Sequence, residues 1–337
     1  MAVYCGDDSE FEYIYKFVSA GRYDPAQGKA NGRLLEEGTL YAARFGADGR
    51  GRWLPLVLGQ GPLVPPEFDS QADVVIKARR AADLLGATPM DRPEDVDINL
   101  QTGRVYAVMT KNTKRRGMGR RAAQGRIVAD TADAANPREN DNANGHIVEI
   151  IEDGDNAAAD TFAWDIFILC GNPQDPAGRL VKDARDLAPP LRRADSYFGG
   201  YAEAGRISPL GAPDNIAFDG AGNLWIATDG QGGDAHRLNL GSDVNDGLFA
   251  VATAGAERGR TMQFLSGPVD CEIVGPEFTP DDSTLFVGVQ HPGESGILGP
   301  GSGPKPPSDW PDGKGLPPRP SVLAVSRAGG KGPVGRG

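Results

Sequence analysis

Histidine and cysteine are scarce in this chain. Its 337 residues include His146, His236 and His291, and Cys5, Cys170 and Cys271, and no others of either kind. The cysteines lie far apart, their number is odd and no Cys-x-x-Cys occurs, which argues against a disulfide framework or a zinc ribbon. With no His-Glu-x-x-His, a histidine-built zinc site has little to build on. No apolar run reaches the roughly 18 residues that a membrane-spanning helix needs. The Gly-x-Ser-x-Gly elbow and the Walker A loop are missing, as is any Gly-x-Gly-x-x-Gly leading into a plausible nucleotide fold. Positive charge is also short: 35 Lys and Arg stand against 46 Asp and Glu, a net charge of −11. A general nucleic-acid binder is disfavoured by that balance, and neither nucleic acid nor membrane is expected as a partner. No signal peptide opens the chain, because a strand-like Ala2-Val3-Tyr4-Cys5 follows Met1 at once. The chain reads as starting inside a hairpin, which suggests truncation and, as written, a cytoplasmic location.

What is abundant is equally informative. Forty-seven glycines and 27 prolines demand many tight turns and disfavour a helical bundle, while 39% hydrophobic residues speak against wholesale disorder. Carboxylates and amides are the plentiful potential ligands, so any metal would be a hard cation. Most surplus carboxylates on an acidic protein simply keep its surface soluble.

A short strand, an Asp/Gly turn and an aromatic-bearing strand recur. Three segments are most alike: Arg92-Pro93-Glu94-Asp95 leading to Gly103 and Val105-Tyr106; Pro213-Asp214-Asn215 leading to Gly222 and Leu224-Trp225; and Pro276-Glu277-Phe278 leading to Thr284-Leu285-Phe286. Repeated all-β units of this kind are the pattern of β-propeller blades, with a sandwich as the other candidate. The blades are placed within residues 1–326. One helical insertion is predicted over about 70–86, capped by Ser70, ended by Gly86, with Val74, Val75, Ala78, Ala81, Ala82 and Leu85 as its apolar face. It reads as a lid or as a packed insertion. The basic stretch from Lys111 to Arg126, mostly the loop 113–126, reads as a solvated loop or a phosphate binder. Residues 327–337 read as a flexible tail.

In a propeller blade the first strand's start and the second strand's end share a face. That places Arg92, Glu94, Asp214, Asn215 and Glu277 with Lys111, Asn112, Asp229, Gln290 and His291, and with Asp7 and Asp8 after the first strand, around a central channel. Oxygen ligands from several blades suit Ca²⁺. Duller readings exist for each. Asp48, Asp219 and Asp281 read as turn residues that bond their own backbone. Arg92 could partner Glu94 or clamp an oxyanion such as phosphate. His291 could be a ligand or a structural histidine. Asp7 and Asp8 are adjacent and should diverge, which speaks against a carboxylate-dyad enzyme.

Several of these blocks resemble PhoX-type alkaline phosphatases. They are Val3-Tyr4-Cys5-Gly6-Asp7-Asp8 with Tyr15-Lys16-Phe17-Val18; Arg92-Pro93-Glu94-Asp95; Asn136-Pro137-Arg138 with Asn140 and Gly145-His146-Ile147; Pro213-Asp214-Asn215 with Asn223-Leu224-Trp225; and Phe278-Thr279-Pro280-Asp281 with Gln290-His291-Pro292-Gly293. The resemblance implies a six-bladed propeller, calcium (Ca²⁺) and iron (Fe³⁺) ions in its channel, and hydrolysis of small phosphate monoesters. It also implies a periplasmic or secreted protein. On that resemblance Arg92 and Glu94 would be catalytic, with Arg92 holding phosphate oxygens and Glu94 ligating metal. Asp7, Asn215 and Glu277 would be further ligands. The family's Thr-Cys-Glu-Glu block, whose Cys and Glu serve the metals, has no counterpart here. The chain therefore resembles the carboxy-terminal portion, roughly four of six blades, with an incomplete cluster, doubtful activity alone, and the amino-terminal portion as a candidate partner. Two competing expectations remain: a non-catalytic propeller-derived module, and a calcium-dependent lactonase-like hydrolase.

Overall fold

The computed structural model describes residues 1–115, 132–138, 141–231, 244–294 and 307–335, with the backbone alone of 120–121 and 127–128. Almost all regular structure is antiparallel sheet. The first blade is β1 (Ala2–Gly6), β2 (Ile14–Ser19), β3 (Gly38–Phe45) and β4 (Arg50–Pro55). Next come β5 (Pro93–Asn99) and β6 (Arg104–Met109), a two-stranded hairpin β7 (Arg120–Arg121) and β8 (Ile127–Val128), then β9 (His146–Glu152) and β10 (Thr161–Leu169). Strands β5, β6, β9 and β10 form the second blade, and β10 is extended by β12 (Ser196–Phe198), itself paired with β11 (Leu180–Val181). Outer strands β4 and β10 pair over Arg50–Arg52 and Thr161–Ala163, so these two blades fuse into one sheet. The third blade is β13 (Pro213–Phe218), β14 (Leu224–Thr228), β15 (Gly247–Val251) and β16 (Thr261–Ser266). The fourth is β17 (Glu272–Phe278), β18 (Thr284–Gln290) and β19 (Ser321–Ser326). Innermost strands β1, β5, β13 and β17 lie beside one another in that order. The propeller expectation holds, with four blades in an arc.

Alternation along each strand supplies the core. Successive side chains point to opposite faces, so a strand buried on both faces serves two interfaces. Val105, Ala107 and Met109 of β6 share a core with Trp53 and Ala43 of the first blade and with Phe162 of β10. Tyr106 and Val108 of the same strand pack toward the third with Leu224 and Ile226. Trp225 and Ala227 then face Ile273, Leu285 and Val287 of the fourth. The turn aspartates do what turn aspartates do: Asp48 accepts from Arg50 N at 3.1 Å, and Asp219 from Ala221 N and Asn223 N at 2.9 and 3.0 Å. Asp281 accepts from Ser283 N at 3.1 Å.

The helical insertion is two short helices, α1 (Gln71–Ile76) and α2 (Ala78–Leu85), with Ser70 Oγ accepting from Asp73 N at 3.1 Å and Gly86 left-handed at the end. Val74, Ala81 and Ala82 pack on Tyr13, Tyr15 and Ala42 of the first blade. The non-helical Lys77 breaks the single predicted face and leaves Val75 40% exposed. Of the two readings of this segment, the structure shows the packed one.

Two expectations are corrected. In the basic stretch Arg115 is fully buried and its Nε donates to Asp91 at 2.8 Å, which departs from the solvated reading at that residue, while Lys114 stays 55% exposed and pairs with Glu10 at 2.9 Å. The side chains of Arg116, Arg120, Arg121 and Arg126 lie outside the described residues, as do His236 and Asn140. The tail after Arg327 is not loose over its described part. Val334 is 2% exposed, joins the core of the fourth blade and donates its N–H to Asp282 O at 2.8 Å. A single apolar residue in a Gly/Pro-rich stretch suffices to dock it.

Candidate metal and phosphate site

The innermost strands bring the predicted face together. Gly6, the last residue of β1, touches β5 so closely that a Cβ would sit 2.2 Å from Pro93 O. Only glycine allows that approach. It carries Asp8 to Arg92, whose Nε and Nη2 each donate to an Asp8 oxygen at 2.9 Å. Arg92 itself has φ of 57°, a left-handed backbone that costs a non-glycine residue roughly 1–3 kcal/mol. Beside it Glu94 accepts from Asn215 Nδ2 at 3.2 Å, and Asn215 Oδ1 accepts from Gly275 N at 2.9 Å. Neighbouring strands β5, β13 and β17 are thereby stitched side by side.

Around this point carboxylates crowd. Asp214 is 5% exposed; burial first, then the charges of Glu94, Asp229, Glu272 and Asp8, push it up to about 9. Burial and then the Asp95 and Asp8 charges push Glu94 up to about 7, against Asn215 and Arg92. Burial and Asp229 also raise Glu272, opposed by His291, whose Nε2 lies 3.0 Å from Glu272 Oε2. Lys111 Nζ donates to Asp229 O at 3.3 Å. These carboxylates are raised because burial desolvates them and the positive charge beside them is too small for their number. A bound hard cation would supply it, and the donors are all oxygen, which suits calcium. Among the described residues, however, no three His, Cys, Asp or Glu side chains are grouped to hold a metal ion as they stand. The donor chemistry fits a cation, and the described residues offer part of a coordination sphere. Cys170 and Cys271 are buried thiols pushed up to about 12, chiefly by desolvation, and take no part.

Not every predicted residue is in place. Arg92, Glu94 and Asn215 meet, as does Asp214. Asp7 lies at the margin, with Arg79 of α2 donating to both its oxygens, Nε at 2.7 Å. Glu277 lies elsewhere: it is exposed, pairs with Phe286 beyond a bulge in β17, and its charge is felt at Asp97. Pro93 and Pro213 open their strands, opposite Met109 and Thr228, whereas the strand-opening residue of β17 is Glu272, opposite Gln290. The sequence likeness of Pro276-Glu277 thus aligned the end of one strand with the starts of two others. Distance to the Asp turn was the available signal, since only Glu272 stands a full strand length before Asp281.

The alkaline phosphatase PhoX family model matches residues 1–293. The chain belongs to the PhoX family. Among solved structures it is similar to Pseudomonas fluorescens PhoX in complex with vanadate, a transition state analogue, at 36% identity and a TM-score of 0.76. That match covers 99% of this chain and 52% of the other, so the chain spans about half the length of that PhoX structure. None of the curated proteins matches. Among the described residues no helix is long and apolar enough to cross a membrane.

The raised Asp214 makes a stability prediction. Above the ordinary carboxylate value the unfolded chain releases a proton that folded Asp214 keeps, so stability falls as pH rises from about 4 toward about 9. Asp214→Asn, neutral throughout, is expected to melt several degrees higher than the parent at pH 8 in chelator, with the gap closing at pH 5. Calcium is expected to raise the parent's Tm and the variant's far less. A variant that melts lower at pH 8 in chelator contradicts the uncompensated cluster.

Proposed function

We propose that this chain forms the phosphate- and cation-binding wall of a metal-dependent phosphomonoesterase acting on small phosphate esters. The observation that carries the reading is Arg92 held at the edge of a partly buried group of carboxylates short of positive charge, in a chain of an alkaline phosphatase family. The Arg92 guanidinium presents two parallel N–H groups, now on Asp8, in the fork that matches two phosphoryl oxygens. Asp8 keeps that fork aimed until a phosphate takes its place. Glu94, Asp214, Asp229 and Glu272 would hold the cations, with Asn215 orienting Glu94. Calcium and iron, bound there, would polarise the phosphoryl group and neutralise its charge. Segments equivalent to the half of the Pseudomonas protein not spanned here would supply the remaining ligands. A neutral lactone has no use for an arginine fork, which favours phosphate esters over lactones.

The test is release of p-nitrophenol from p-nitrophenyl phosphate at alkaline pH with Ca²⁺ and Fe³⁺, by this chain alone and by a fusion carrying the corresponding other half of the Pseudomonas protein. Turnover abolished by chelator supports the reading. An inert, fully metallated fusion that binds no phosphate leaves a non-catalytic module, and turnover of lactones in preference points to the lactonase-like reading.

A further inference from the structure

The blocks around Asn112, Asn136-Pro137-Arg138 and Gly145-His146 take no direct part in the site just described, yet they converge on one residue. Asp91 is completely buried and immediately precedes Arg92. Its Oδ1 accepts from Asn112 Nδ2 at 3.0 Å and from Arg115 Nε at 2.8 Å, and its Oδ2 from Asn142 Nδ2 at 2.9 Å. Asn112 and Asn142 also exchange backbone hydrogen bonds in both directions, at 2.9 and 3.0 Å, so two loops are locked together before they reach Asp91. Asn142 is held in turn by Arg138 Nη1 at 2.8 Å, and Arg138 Nη1 also donates to Gly145 O at 3.1 Å. The backbone on either side of Arg92 is tied down as well: Met90 N donates to Glu12 O at 2.8 Å, and Arg92 O accepts from Thr110 N at 3.1 Å.

A left-handed arginine persists only where its surroundings over-determine it. The geometry points to Asp91, with Asn112, Asn142 and Arg115, as a buried positioning device that holds Arg92 in its left-handed conformation and so aims its guanidinium at the phosphate position. Three stretches of chain, at Glu12, Thr110–Arg115 and Arg138–Gly145, lend donors or backbone to this one carboxylate's neighbourhood, apart from the site's own side chains. They act through Arg92. The inference deepens the phosphomonoesterase reading and rests on it for the role of the guanidinium, though not for its conformation.

Asn142→Ser removes one donor to Asp91 and spares the Arg115–Asp91 ion pair; Asn112→Ser is the second variant should the first fold poorly. Two readouts are taken on the full chain with calcium present: amide exchange of the peptide covering residues 89–96, and affinity for inorganic phosphate, each in parent and Arg92→Ala backgrounds. The expected result is faster exchange at that peptide and phosphate binding weakened about tenfold, the coupling typical of one hydrogen-bond network. In the Arg92→Ala background the same substitution is expected to change phosphate affinity no further. Unchanged exchange, or an equal loss of affinity in both backgrounds, overturns the inference. Should Arg92→Ala leave phosphate binding intact while Asn142→Ser still loosens residues 89–96, the phosphate reading of the site fails and the positioning of Arg92 stands.

Discussion

Arg92→Ala is expected to lower phosphate-ester turnover by about 100- to 1,000-fold, the size seen when one preorganised donor to a transition-state oxyanion is deleted. The reason lies in the fork. Two guanidinium N–H groups sit parallel and aimed, and a charge-assisted bidentate pair is stronger than two neutral hydrogen bonds. Arg92→Lys keeps a cation but offers a point charge in place of the fork, so it is expected to recover only part of the loss. Deletion also releases Asp8, adding an unpaired carboxylate beside Glu94 and Asp214. Calcium affinity in Arg92→Ala should therefore be retained or raised while phosphate affinity falls. Steady-state kinetics on the active form, together with calorimetric titration of Ca²⁺ and phosphate, separate the two effects. Parallel loss of both ligands would mean that Arg92 supports the fold and not the phosphate.

The second large effect concerns stability. Lys16 is 1% exposed and its Nζ donates to Glu152 Oε1 at 3.0 Å and Ala159 O at 2.6 Å, 4.6 Å from the centre of the Trp53 ring. Glu152 also accepts from Tyr4 OH at 2.6 Å and from Trp53 Nε1 at 3.1 and 3.2 Å. Glu152→Ala strands a buried ammonium and two ring donors at once, and is expected to cost about 3–5 kcal/mol in denaturant unfolding. Burial already draws Lys16 below its usual range, with Glu152 resisting. Without Glu152 the folded chain sheds that proton more readily than the unfolded one, so the variant should regain stability as pH rises toward about 10. The double variant Lys16→Met, Glu152→Gln removes both charges and is expected to lie well above the single one. A single variant as stable as the parent would show that water reaches Lys16.

Much of this was legible along the chain because it is local. Alternation in Val105–Met109 announces a strand buried on both faces. Asp219 with Gly222 specifies its turn through its own backbone, and Ser70 and Gly86 bound the helical segment through theirs. The one-face placement of Arg92, Glu94, Asp214 and Asn215 also followed, because antiparallel blades leave little choice of where strand ends meet. Errors arose where a local likeness stood in for a distance. Pro276-Glu277 copies Pro213-Asp214 in letters but sits at the wrong end of β17. Asp7 and Asp8 are indistinguishable in sequence, and only the approach of β1 to β5 at Gly6, and of α2 to the first blade, gives Asp8 to Arg92 and Asp7 to Arg79.

Residue order thus settled the strands, their turns and the edge at which polar residues gather, since hydrogen-bonding and alternation act over a few positions. Which carboxylates raise one another's hold on a proton, and which buried residue steadies Arg92, were settled by folding alone. Those facts depend on side chains from different segments of the chain being pressed into one partly desolvated space, where charge is costly and each neighbour alters the others.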